Sequence, residues 1–110
     1  MADLNYDEII KKVLTEHTLI PYSHGDMHNR LIVDDETKSY LVITIGWDGP
    51  RRIHGCMVHL DVIDDKIWVQ RDDTEYGVTR EIEAFGIPKD KIVLGFQEPS
   101  ARPYTGYAVA

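Results

Sequence analysis

Between Leu4 and Thr18 the apolar residues fall at Tyr6, Ile9, Ile10, Val13 and Leu14, with Lys11, Lys12 and Glu16 between them. This i, i+3, i+4, i+7 spacing predicts an amphipathic helix. Asp3 or Asn5 is placed to cap it, and Asp7 and Glu8 suit the positive end of its dipole. The helix should stop before Ile20-Pro21, because the residue preceding proline is pushed out of the α region. A polar loop from Tyr22 to Asp26 follows.

The pattern then changes to period two. His28 to Val33 and Ser39 to Trp47 are rich in Val, Ile, Leu and Tyr, with the polar turn Asp34-Asp35-Glu36-Thr37 between them, which predicts an antiparallel hairpin. In the second strand Leu41, Ile43, Ile45 and Trp47 share one face and Tyr40, Val42 and Thr44 the other. Asp48-Gly49-Pro50 is a tight-turn signal, Ile53 to Ile63 a long third strand, Asp64-Asp65-Lys66 another turn, and Ile67 to Arg71 a fourth strand. No crossover helix separates these strands, so this part should be an antiparallel meander. Asp72-Asp73-Thr74 before Val78 to Phe85 predicts a capped second helix ending at Gly86, and Ile92-Val93-Leu94 can add a strand.

The expected architecture is α+β: one domain over residues 1–110, with an antiparallel sheet of four or five strands packed on the N-terminal helix and a shorter second helix. Its core should include Ile10, Leu14, Ile43, Ile45, Val58 and Leu60. The end of the chain carries Tyr104, Tyr107 and Val109. Such an apolar end either packs on a neighbouring subunit, which makes a homo-oligomer, or folds back on its own body.

With 43% hydrophobic and 28% charged residues in 110 positions, the composition is that of a single globular domain. Apolar runs reach about five residues against the ~20 needed to cross a bilayer, so no membrane span is expected. Without a secretory signal pattern, and with one cysteine, the expected compartment is the cytoplasm. The net charge is −7, and the adjacent basic pairs are Lys11-Lys12 and Arg51-Arg52. Direct DNA binding should therefore be weak or absent, because a phosphate-gripping surface needs clustered cations. A protein partner is favoured.

His54-Gly55-Cys56-Met57-Val58-His59-Leu60-Asp61 gathers a thiol, two imidazoles and a carboxylate. In a regular strand His54 and Cys56 project from one face and His59 and Asp61 from the other, which without a bulge excludes convergence on a metal. Cys56 lies in register with Val58, Leu60 and Val62 and is expected to be buried as a small hydrophobe. His17, His24 and His28 are expected on the surface, and the acidic turns are expected to be solvated hairpin tips. No catalytic, cofactor or metal residues are assigned. The candidate partner surface comprises Arg51, Arg52, Arg102, Tyr104 and Tyr107, because tyrosine and arginine are enriched at interface hot spots.

Three segments together resemble the XisI family: G-W-D-G-P-R-R-I-H-G-C-M-V-H-L-D (Gly46 to Asp61), K-I-W-V-Q-R-D-D-T-E-Y-G-V (Lys66 to Val78) and P-K-D-K-I-V-L-G-F-Q-E-P-S-A-R-P-Y-T-G-Y-A-V-A (Pro88 to Ala110). The opening helix and the length also match. The resemblance implies an fdxN-element excision controlling factor of cyanobacteria, an accessory in the DNA recombination of heterocyst development. It further implies a restriction-endonuclease-like companion, XisH, and a separate recombinase that performs strand exchange. The family has no established catalytic residues to carry over. The resemblance leaves two roles open: a non-enzymatic recombination factor, or an inhibitor or antitoxin-like partner that masks a XisH-like nuclease.

Overall fold

A computed structural model describes residues 5–19 and 26–110. Helix α1 spans Tyr6–Thr18, and the Asn5 side chain accepts the Glu8 N–H at 3.1 Å, so Asn5 is its cap. Asp3, the Ile20-Pro21 stop, most of the loop that follows it and His24 lie outside the described residues. Strands β1 (Asp26–Asp34), β2 (Ser39–Asp48), β3 (Arg51–Ile63) and β4 (Lys66–Asp72) form the expected antiparallel meander. Helix α2 (Val78–Ala84) carries the chain back along the sheet, so β5 (Ile92–Leu94) joins β4 in parallel. The sheet order is β1-β2-β3-β4-β5, and the class is α+β.

Asp72 organises the entry to α2. Its carboxylate accepts the Val78 N–H at 2.7 Å and the Thr74 N–H at 3.0 Å, while Gly77 occupies the cap position and has no side chain to offer. At the other end Gly86 has φ +99°, a conformation that glycine tolerates without a Cβ clash. Gly46 answers a different demand: a Cβ there would overlap the carbonyl oxygen of Asp26 on β1.

Both helices pack on one face of the sheet. Ile10, Val13 and Leu14 of α1 and Val78 and Ile82 of α2 meet Tyr40, Val42, Val58, Leu60, Ile67 and Val69, all fully or nearly fully buried. Ile10, Leu14, Val58 and Leu60 are thus core residues as expected. Ile43 and Ile45 are not: Tyr40 and Val42 face the helices, so the opposite parity of β2, with Leu41, Ile43, Ile45 and Trp47, lies on the helix-free face. β2 is apolar on both sides, and alternation alone does not say which side the helices cover.

One polar contact closes the seam between helix and sheet. The Tyr40 hydroxyl donates to Asp7 at 2.7 Å, and Lys11 pairs with the same carboxylate at 3.1 Å. Burial, then the Asp7 carboxylate, pushes the Tyr40 hydroxyl far above its ordinary value. The hydrogen bonds from Tyr40 and Lys11 hold Asp7 below its ordinary value of 3.8. Tyr40→Phe keeps the ring and removes the bond, so it should cost about 1 kcal/mol at neutral pH, a charge-assisted bond discounted for partial exposure. Because the folded carboxyl is depressed, this contribution is complete above 3.8 and is lost as pH falls through the lower folded value. Denaturant titrations should therefore show the gap between wild type and variant narrowing in acid; a gap that widens would contradict the assignment.

Candidate functional site

A bulge in β3 decides which chemistry-bearing side chains share a face. Val58 pairs with Val42, but Cys56, not Met57, pairs with Ile43, so Met57 is an extra residue. The parity of the strand flips there. Val58 and Leu60 stay on the core side, whereas Cys56 opposes Ile43, His54 opposes Ile45 and Arg52 opposes Trp47 on the helix-free face. His59 opposes Leu41 and Asp61 opposes Ser39 on that same face. Cys56 is accordingly half-buried on the outer face, a correction to its expected place in the core.

The bulge thus brings His54, Cys56, His59 and Asp61 to one side, but in a file along the strand. His59 meets Asp61 at 3.0 Å, and the Cys56 thiol donates to the Val58 carbonyl at 3.3 Å. No group of three metal-ligating side chains occurs among the described residues. Burial pushes the Cys56 thiol up, with Arg71 opposing it, so the sulfur is not poised as a thiolate nucleophile. Burial also pushes Asp61 up, but hydrogen bonds from Ser39, Gln70 and His59 together outweigh it and hold the carboxyl below its ordinary value. These groups make a polar network on a surface.

The helix-free face of β1, β2 and β3 is therefore the main candidate site. Successive rows across it are Ile32–Leu41–His59, Arg30–Ile43–Cys56, His28–Ile45–His54 and Asp26–Trp47–Arg52. Ile32 is 45% and Trp47 47% exposed, and the Arg52 guanidinium lies 5.1 Å from the Trp47 ring. β4 pairs with β3 only from Val58 onward, so the edge from Arg51 to Met57 has no strand beside it. A groove of about 750 Å³ follows this edge, with Arg52, His54, Cys56 and Arg71 on its walls.

A smaller cavity of about 230 Å³ lies on the helix side, between His17, Asn29, Met57, Tyr76 and Glu81. His17 is 8% exposed and meets Glu81 at 2.8 Å, so it is a buried bridge between α1 and α2 and not the surface residue expected. The His17 carbonyl also accepts from the Asn29 amide at 2.9 Å. His28 is exposed, as are the acidic turns Asp34 to Glu36 and Asp64-Asp65, which lie at the same end of the sheet.

The five residues expected to form a partner surface are divided. Arg51 and Arg52 lie at the β2–β3 turn, with Arg51 3.4 Å from Asp48. Arg102 stacks on Trp68 at 5.1 Å and donates to the carbonyls of Gln97 and Gly95. Trp68 opposes Asp61, and through it Ser39, so it lies eight positions along β2 from the row of Arg52, roughly 26 Å at ~3.3 Å per residue. Tyr107 packs on the core and donates to Glu83 at 2.9 Å, while Ala108 bridges Val93 in parallel. The end of the chain thus folds back on its own body, and Tyr104 alone of the five is almost fully exposed, at 89%. Tyr107→Ala should lower stability by about 1–3 kcal/mol, whereas Tyr104→Ser should stay within about 0.5 kcal/mol of wild type. Chemical denaturation of the two variants checks this, and the reverse order would refute the fold-back role of Tyr107.

The family model for XisI protein matches residues 1–109. A crystal structure of a XisI-like protein from Anabaena variabilis is similar at 40% identity and a TM-score of 0.87, with 96% of each chain covered. The fdxN element excision controlling factor XisI from the same organism is similar at 32% identity and a TM-score of 0.78, again over 96% of each chain. No protein of curated function matches.

Proposed function

The chain belongs to the XisI family, and on that premise we propose that it is a non-enzymatic controlling factor of programmed site-specific DNA excision, acting by contact with a XisH-like companion and the excision recombinase. The observation that carries this reading is the likeness to the fdxN element excision controlling factor over 96% of both chains. Two features of the surface support a role through contact. Cys56, His59 and Asp61 of β3 are engaged in local hydrogen bonds, and the helix-free sheet face exposes Ile32 and Trp47 beside the half-buried Leu41, Ile43 and Ile45. Several cations are also matched within the chain. Lys11 pairs with Asp7, Arg71 with Asp73 and Lys91 with Asp65, while Arg52 and Arg102 lie over indole rings. Such cations are poorly placed to exchange counterions with phosphates, which favours protein over duplex DNA.

The inhibitor reading is favoured by one specific observation: the acidic turns 34–36 and 64–65 sit together at one end of the sheet, where they can oppose the basic cleft of a nuclease-like companion. Reconstitution separates the two readings. Excision of a reporter element by recombinase and companion should fall when this chain is omitted, and the chain alone should not shift duplex DNA at the ~10⁻⁸ M of specific binders. Excision unchanged by omission, with companion nuclease activity rising, would replace the excision role with the inhibitor role. DNA cleavage or a competitor-resistant shift by the chain alone would overturn both.

A further inference from the structure

We infer that the open edge of β3, from Arg52 to Cys56, is a strand-addition site that takes an extended, acidic segment of a partner protein. The Cys56 carbonyl turns away from β2 to accept from Arg71, so Cys56 directs its backbone groups to the open side. In an antiparallel strand every second residue does the same, so Arg52 and His54 present both N–H and C=O outward, and Cys56 presents its N–H. Among the described residues nothing bonds to these groups. β4 does not reach them, since its pairing with β3 begins at Val58. A row of backbone donors and acceptors at strand spacing is matched by another strand, and five residues of ~3.3 Å make it roughly 16 Å long. That the segment belongs to a partner protein rests on the contact reading above.

The side chains around the edge define the occupant. On the outer face Arg52 has an indole ring and the Gly46 carbonyl but no carboxylate partner, and Arg71, at the Cys56 end, divides itself between Asp73 and the Cys56 carbonyl. On the helix side Ile53 is half-buried, and Gly55 leaves a gap beside Thr44 and Met57, where a Cβ would meet nothing within 4 Å. A strand laid opposite residues 52 to 56 is therefore matched by acids at its first and last positions, beside Arg52 and Arg71. Its second and fourth residues should be apolar, to pack against Ile53 and over Gly55. A second copy of this chain lacks that pattern. Two β3 edges paired with each other would gather Arg52 and Arg71, with His54, from both copies; paired about His54, Arg52 of one copy lands opposite Cys56 of the other, beside Arg71. The same cations thus disfavour self-pairing, the usual hazard of an open edge, and admit an acidic strand.

Fluorescence anisotropy of the full chain with a labelled Gly-Ser-Asp-Val-Thr-Val-Glu-Ser-Gly peptide, whose acid and apolar positions hold in either strand direction, tests this. Saturable binding with a Kd on the order of 10⁻⁴ M is expected, weak because a short peptide must be ordered as it binds. The same peptide with both acids replaced by lysine should bind at least tenfold more weakly. His54→Pro removes an outward N–H where an edge strand tolerates proline, and with circular dichroism unchanged it should weaken binding at least tenfold. Arg52→Glu, which leaves the backbone groups in place, should shift the preference toward the lysine peptide. Bound acidic peptide should slow amide exchange at Arg52, His54 and Cys56. No binding at about 1 mM peptide, equal binding of the two peptides, or binding unchanged in a folded His54→Pro variant overturns the site. So does protection of those amides that rises with the concentration of the chain alone, since the edge would then belong to a second copy. If reconstituted excision requires the chain but is unchanged by His54→Pro, the contact reading stands and the strand-addition site fails.

Discussion

The extra residue at Met57 governs this molecule more than any single contact. By opposing two residues of β3 to one step of β2, it lets Val58 and Leu60 face the helices while everything from Cys56 back to Arg52 changes sides. Met57 itself packs against the core, its sulfur 3.9 Å from the Thr44 hydroxyl, so the bulge is fastened on the helix side. Its carbonyl accepts the N–H of Asp73, and the neighbouring Cys56 carbonyl accepts from Arg71. The bulge thereby acquires the hydrogen bonds that a regular β4 pairing would otherwise supply, and beyond it the edge of β3 is left open.

A one-sided arrangement follows. Helices α1 and α2 and the residue Tyr107 cover the same side of the sheet, and His17 to Glu81 and Tyr107 to Glu83 hold these pieces together with polar links at the margin of an apolar core. On the other side, Arg102 stacks on Trp68 and anchors the segment after β5 to the carbonyls of Gly95 and Gln97. Gly95 permits this close approach, because a Cβ there would meet the Gln70 side chain and the Trp68 ring. The covering is local to β4 and β5, and the apolar rows of β1 to β3 stay accessible.

Much of this was legible in the chain. The helix α1 and its Asn5 cap, the four meander strands with their turns, and the Gly86 stop all rest on local rules, period 3.6 or 2 and turn chemistry, that tertiary packing did not override. The misplaced core of β2 has a physical cause: Leu41, Ile43, Ile45 and Trp47 form a more hydrophobic set than Tyr40, Val42 and Thr44, yet Tyr40 is the residue that can bury its ring and still satisfy its hydroxyl on Asp7. The one local signal of the bulge was Gly55, two residues before Met57, because an isolated glycine inside a strand pattern often marks one. Without the bulge, His54 and Cys56 are assigned to the core side, whereas His59 and Asp61 are placed correctly on the outer face. His17 was missed for a related reason: its partner Glu81 lies 64 residues away, and its place on the buried stripe, four residues after Val13, was the available clue.

The inversion in β2 bears on what the surface is for. If hydrophobicity alone chose the core face, the spine of Leu41, Ile43 and Ile45 would lie under the helices, because each fully buried side chain of this size is worth roughly 1.5–3 kcal/mol. The fold leaves part of that stabilisation unrealised on an open face while burying a tyrosine that needs a carboxylate partner. Scattered exposed apolar residues need no explanation, but here the exposed Ile32 and Trp47 adjoin the half-buried Leu41, Ile43 and Ile45 on neighbouring strands, so the helix-free face carries one continuous apolar file. The same sheet therefore carries two apolar faces: one, completed by α1 and α2, holds the domain together, and the other stays partly open to solvent along β1 to β3.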